Sequence, residues 1–234
     1  MRAIYRKEMR QYLTSFAGAV FLAAYAALIG YQFTVGNLLA QSGEISGLFA
    51  QIMSMLMFLV PVLTMRLLSE EKKMRTDQLL MTSPVSVAGI VSGKFLAALT
   101  MFLIGSLPLV LCAGVMAYYG VSPSLETAGN FAALLLAGAA FIAVGLFASA
   151  ITENQIVAAI VSYVALIGLW LLDYLRLYVS HEGTAAALAY LSVRAHFAQL
   201  SGGVFALSTL TYFLSLTAMM LGLTVLAMDA RRRR

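Results

Sequence analysis

The stretch closest to a nucleotide-binding motif is Gly89–Phe95, Gly-Ile-Val-Ser-Gly-Lys-Phe. A phosphate-binding loop needs four residues between its glycines, so that backbone N–H groups wrap the phosphate. It also needs Ser or Thr after the Lys to hold Mg²⁺. Here only Ile90, Val91 and Ser92 separate the glycines, and Phe95 follows Lys94. The sequence therefore argues against ATP binding by this chain, and Lys94 reads as the edge of a span with a snorkelling cation. His181 and His196 stand apart with no Cys or carboxylate constellation around them, so no metal site is expected and both histidines read as solvated or interfacial. Asp173 and Arg176 lie one helical turn apart and read as a boundary ion pair. No nucleophile stands with a base. The expectation is a chain that is not an enzyme and carries no cofactor.

What remains for chemistry is charge on one segment. Residues 66–94 hold Arg66, Glu70, Glu71, Lys72, Lys73, Arg75, Asp77 and Lys94. Helix formers run to about Met81, and Thr82, Ser83 and Pro84 then break the pattern, since Pro disfavours helix at the residue before it. Ser86 is placed to cap a new helix. Leu79, Leu80 and Met81 are apolar on an otherwise polar loop, which suggests docking to a partner or to the headgroup layer.

The elements that must position this segment are long apolar runs. Six stretches carry no Asp, Glu, Lys or Arg: Gln11–Gly43, Ile45–Met65, Phe95–Leu125, Thr127–Thr152, Asn154–Leu172 and Ala195–Met228. Roughly 20 apolar residues in a helix cross the hydrocarbon core. Hydrophobic residues make up 62% of the chain and charged residues 11%, against about 25% charged in a soluble domain, so lipid must solvate much of the surface. The spans read as about 16–35, 48–68, 94–119, 129–151, 155–172 and 204–228, with 69–93 and 173–203 as the two larger connections, all in one membrane domain over 1–234. With both termini and the 2–3 connection inside, thirteen of the fifteen Lys and Arg residues are cytoplasmic, which the positive-inside rule favours. The net charge of +5 is thus topological, and nucleic acid is not an expected partner. Intramembrane ionisable groups, which ion-coupled carriers usually need, are missing from the middles of the spans.

Residues 1–15 read as an interfacial helix. Tyr5, Met9, Tyr12 and Phe16 form an apolar stripe, and Arg2, Arg6 and Arg10 a basic one, the pattern of a helix lying among membrane lipids. Gly138, Gly145 and Ser149 share one face of span four and let another helix approach closely. Tyr190, Val193, Phe197 and Leu200 form an apolar stripe before span six, as in a helix dipping into the outer interface.

The run from Glu71 to Lys94 resembles the cytoplasmic segment of ABC-2 type transporter permeases, especially the gliding-motility GldF-like branch. The matching residues are Glu71, Thr76, Leu79–Leu80, the turn Thr82–Val85 and Gly93–Lys94. Lys7-Glu8-Met9-Arg10-Gln11-Tyr12 is similar to the same branch, as are His196-Phe197, Gly203, Tyr212-Phe213-Leu214 and the closing arginines. Where the branch commonly has Gly before the Thr, this chain has Arg75, and Gln78 stands where Glu is common.

The resemblance implies an all-α permease subunit with six transmembrane helices and both termini inside. It would sit in the bacterial inner membrane, probed from the cytoplasm by a separate ABC ATPase that holds ATP and Mg. A second permease copy or homologue would complete a dimer, and export is the expected direction. The 2–3 connection would be the coupling element, through Glu70, Glu71, Lys72, Lys73, Arg75, Thr76, Leu79, Leu80, Met81 and Pro84. The turn Thr152–Gln155, with Glu153, would be a smaller contact. The helix before span six would be an exterior re-entrant lid. The alternatives are an ATP-independent carrier or channel, and a membrane scaffold of an envelope or motility complex.

Overall fold

The computed structural model describes residues 1–76, 85–121, 124–175, 178–179 and 181–232. Among them the regular structure is helical throughout. The helices are α1 Arg2–Thr14, α2 Phe16–Phe33, α3 Ile45–Thr64, α4 Ser69–Lys73, α5 Val87–Tyr118, α6 Leu125–Ile151, α7 Gln155–Leu175, α8 Glu182–Leu191, α9 Val193–Ser201 and α10 Leu207–Arg232. Six helical segments are long and apolar enough to cross a membrane, those built on α2, α3, α5, α6, α7 and α10.

Several boundaries differ from the sequence reading. Gly36 and Asn37, expected in a loop, lie in a π-helical extension of α2, Thr34–Leu39. The Asn37 side chain is buried and donates to the Ser42 and Glu44 carbonyls at 3.2 and 2.9 Å, which folds the connection back on the helix end. Ser86 caps α5 as expected, accepting from Gly89 N–H at 3.2 Å. Because α5 starts at Val87, Lys94 lies inside a continuous helix rather than at a boundary. Phe16 is not on the N-terminal helix: Ser15, in extended conformation, ends α1, and its hydroxyl caps α2.

Helix α6 is the axle of the bundle. Ala133, Ala137, Ala140, Ala143 and Ala148 along it are all buried, and α3, α5, α7, α9 and α10 pack around it. Small residues allow this, because without lipid-excluding side chains helix axes approach closely. A Cβ on Gly138 would meet the Phe102 ring at 2.4 Å, and one on Gly145 would meet Thr64 Oγ1 at 2.1 Å. A Cβ on Gly129 would fall 2.0 Å from the Leu200 carbonyl oxygen, so α9 also seats on a glycine of α6. Tyr25 stacks on Phe102 at 6.0 Å between ring centroids and bonds Ser106 Oγ at 3.2 Å, fastening α2 to α5.

Consecutive long helices run antiparallel, giving two ends. One gathers α1, α4, the start of α5, the α6–α7 turn and the end of α10. The other gathers the α2–α3 and α5–α6 connections with α8 and α9.

Gly145→Ala tests the axle. The added methyl should cost about 1–3 kcal/mol of stability in detergent by overpacking against Thr64. Gly168→Ala on α7, where nothing lies within 4 Å, should be neutral or stabilising by about 0.5–1 kcal/mol. Thermal unfolding of the two purified variants makes the comparison; equal midpoints would contradict the close α3–α6 approach.

Candidate functional site: the charged end of the bundle

Helix α1 buries Ile4, Glu8 and Tyr12, a stripe at one-turn spacing with a carboxylate in its middle. Tyr12 donates to the Leu63 carbonyl at 2.9 Å, tying α1 to the end of α3. The stripe drawn from sequence, Tyr5 and Met9 with Tyr12, is only its flank, since Tyr5 and Met9 are half-buried.

Lys94 corrects the snorkelling expectation. Its side chain is 1% exposed, and the ammonium points into the protein. It donates to Glu8 Oε1 at 2.7 Å and to the Leu67 carbonyl at 2.7 Å. Glu71 Oε2 lies 2.9 Å away as an ion pair, off the direction of an aligned hydrogen bond. Lys7 completes the cluster, with its ammonium 2.6 Å from Glu71 Oε1 and 3.7 Å from Glu8 Oε1. Burial works against the Lys7 charge, but the Glu71 hydrogen bond and the charges of Glu71 and Glu8 outweigh it and hold its pKa above the ordinary lysine value. Burial, reinforced by the Glu8 charge, pushes the Tyr12 phenol well up, so it stays a neutral donor. The groups line a cavity of about 140 Å³ that also touches Arg66, Glu70 and Thr76.

The start of the charged segment is built into the bundle. Ser149 Oγ accepts from the N–H groups of Leu68 and Ser69, each at 3.0 Å, and donates to the Met65 carbonyl at 3.0 Å. Lys72 is buried, and its ammonium meets the Ala150 carbonyl. A cation there satisfies a carbonyl that the end of α6 leaves without a helical partner, and it suits the negative end of the helix dipole. Glu70 pairs with Arg66 at 3.0 Å. Glu71 and Lys72, expected among the coupling residues, therefore face inward, because Lys94 and the α6 terminus need them.

Helix α4 stops at Lys73 rather than running to about Met81. Arg75 has φ 56. Its N–H bonds the Lys72 carbonyl at 3.1 Å, and Thr76 N–H bonds the Glu71 carbonyl at 2.9 Å. This is the Schellman stop, in which the left-handed position usually holds glycine. Lys73 and Arg75 remain on the outer side of the turn. Leu79, Leu80, Met81 and Pro84 lie outside the described residues. Glu153 is exposed in the α6–α7 turn and pairs with Arg231 of α10 at 2.9 Å.

At the opposite end the expected lid stripe divides. Val193, Phe197 and Leu200 are buried on α9, whereas Tyr190 belongs to α8 and is exposed. Extended Ser192 separates the two helices and caps α9. His196, expected as solvated or interfacial, is buried: Nε2 lies 2.9 Å from the Tyr190 carbonyl, Nδ1 lies 3.3 Å from Thr209 Oγ1, and the ring stacks on Tyr212. Asp173 is 3.7 Å from Arg194; Arg176, its expected partner, lies outside the described residues. Arg194 also sits over the Trp170 and Tyr174 rings. Among the described residues no cluster of three His, Cys, Asp or Glu side chains is arranged to hold a metal.

The family model described as "ABC-2 family transporter protein" matches residues 20–228. No curated protein matches the chain.

Lys94→Met tests the cluster. It leaves Glu8 and Glu71 buried beside one half-exposed lysine, and losing one member of a buried ion pair costs about 3–5 kcal/mol. The triple change Glu8→Leu, Glu71→Leu, Lys94→Met should recover most of that loss. Unfolding midpoints of the single and triple variants decide it; a single variant as stable as the parent would contradict the buried network.

Proposed function

The chain belongs to the ABC-2 transporter family, and from that premise we propose that this multi-pass membrane protein is a permease subunit driven by a separate ATPase and working as an exporter. The quoted motifs favour the gliding-motility GldF-like branch. Both termini and the charged end face the cytoplasm of the bacterial inner membrane, where ATP and Mg sit on the partner. A second permease, identical or homologous, pairs with it. The observation that carries this reading is the attachment of the charged segment to the bundle. Through Glu71, Lys72 and the turn at Leu67–Ser69, α4 is bonded to α1, α5 and α6 together. A push delivered near residues 77–84 would thus reach three helices at once, which a solvated loop would not do. Carrier and scaffold readings need no such attachment.

Orientation is checked by cysteine labelling in intact cells. A cysteine placed at Ser42 should react with an impermeant maleimide from outside, and one placed at Thr82 only after permeabilisation. External labelling at position 82 would reverse the assignment.

Coupling is checked by copurification. Leu79 and Leu80 are the expected apolar anchors, and apolar anchors outweigh exposed rim charges at interfaces. Replacing both with Ser should weaken ATPase binding by about 2–4 kcal/mol, or roughly 30- to 1000-fold. Neutralising exposed Lys73 should change it little. Undiminished ATPase capture by the Leu79→Ser, Leu80→Ser variant, with its unfolding midpoint unchanged, would remove the segment from the coupling role.

A further inference from the structure

Helix α1 has a second face that the charged cluster does not use. Arg2, Arg6 and Arg10 recur at one-turn spacing and are all exposed. The acidic residue of α1, Glu8, points the opposite way into the bundle, and Lys7 is held by Glu71. Among the described residues no carboxylate pairs with any of the three arginines. Exposed Leu13 lies on the same side of the helix, and Phe16, 85% exposed, follows at the start of α2. Bare guanidinium groups beside bare apolar side chains suit the boundary between headgroups and acyl chains.

Beside this row, α1 and α5 enclose a groove of about 400 Å³ lined by Met1, Arg2, Tyr5, Leu96 and Thr100. Tyr5 and Thr100 are joined along it by a 3.1 Å hydrogen bond between their hydroxyls, so their polar atoms satisfy each other. Arg2 borders both the groove and the basic row. From Leu96 the exposed face of α5 continues through Leu103, Leu107 and Leu111. Leu96 to Leu111 covers about 22 Å of helix rise, more than the roughly 15 Å that one leaflet's hydrocarbon contributes.

We propose that this surface is a binding site for an anionic phospholipid. Its phosphate is held by Arg2, Arg6 and Arg10, and one acyl chain runs through the α1–α5 groove and down the exposed face of α5. The charge complementarity selects the occupant. Three uncompensated cations favour a lipid of net negative charge over a zwitterionic one, and the adjoining apolar track favours a lipid over a soluble phosphate. The assignment rests on the six helices crossing a membrane and is independent of what the bundle moves or what drives it.

Native mass spectrometry of the purified full chain tests it, with the chain released from detergent holding equal amounts of phosphatidylglycerol and phosphatidylcholine of identical acyl chains. Retained phosphatidylglycerol should exceed phosphatidylcholine on the order of tenfold. The preference should shrink as NaCl is raised before release. Excess glycerol phosphate, a phosphate anion that lacks acyl chains, should not displace the lipid. The R2Q/R6Q/R10Q variant should retain both lipids alike, and R2K/R6K/R10K should keep the preference. Thermal unfolding verifies that the variants are folded; should the Gln variant fail to fold, the salt and glycerol phosphate arms on the wild type carry the test. Equal retention of the two lipids by the wild type would overturn the site, as would an unchanged preference in folded R2Q/R6Q/R10Q. Displacement by glycerol phosphate would overturn the role of the groove. If a Leu103→Cys variant forms disulfide-linked dimers equally in either lipid alone, a second copy covers the track and the lipid assignment falls.

Discussion

An ammonium group taken out of water must meet negative charge or carbonyl oxygen, and Lys94 imposes that requirement on the structure around it. Desolvating such a group alone costs several kcal/mol. Lys94 sits on α5, with 1% of its side chain exposed, so its partners have to come from other elements. Glu8 arrives from α1, Glu71 from α4 and the Leu67 carbonyl from the turn after α3. Those contacts fix where the N-terminal helix lies and how the chain leaves the third helix. Against an apolar replacement, buried ion clusters of this kind are often near neutral in net stability. Its consequence is positional, since an arrangement that separated any of the three elements would strand a charge.

The cluster can set positions only because α6 gives the other helices a fixed surface. Gly138 and Gly145 accept the Phe102 ring and the Thr64 side chain where a methyl would collide. Ser149 then holds the turn at Met65–Ser69 through three hydrogen bonds, and the Ala150 carbonyl receives Lys72. One face of α6 thus passes from steric fit in its middle to hydrogen bonding at its end, and the charged segment begins where that face ends. By contrast α2, α7 and α10 leave most of their apolar surface outward, as expected of helices facing lipid or another subunit.

What could be read from the sequence was whatever a local pattern encodes. Runs without charge point to six long helices and Ser86 to the start of α5, while Gly138 and Gly145 lie where Phe102 and Thr64 come close. The errors share a cause. Lys94 reads as a span edge because the run of uncharged residues begins after it, yet α5 starts earlier and carries the lysine inward. Arg2, Arg6 and Arg10 mark the outer face of α1 by their spacing, and Ile4, Glu8 and Tyr12 have the same spacing on the inner one. The partners of both residues lie far away in sequence, and no spacing rule joins Glu8 to Lys94. By spacing alone Tyr190 joins the α9 stripe, because a period of 3 and 4 runs through Ser192, where the backbone is in fact extended. Arg75 marks the opposite case: the resembling branch commonly has glycine there, and a left-handed backbone explains that choice physically, since a side chain at positive φ costs about 1–2 kcal/mol.

Helix α1 joins two environments through its two faces. Its inner face carries a carboxylate into the cluster that fixes α4 and α5, while its outer face carries three exposed arginines, which the proposed lipid site places among headgroups. Coulomb attraction in that layer is screened within about 10 Å at ordinary ionic strength, so the outer contact is soft and adjustable. The inner contact is short, buried and all-or-none. A shift of α1 relative to the membrane surface would therefore be transmitted at full strength to Lys94 and Glu71, whereas a shift of α4 would be absorbed gradually by the headgroups. The asymmetry follows from burial alone, and under the proposed lipid site α1 is the element that links the headgroup layer to the charged segment.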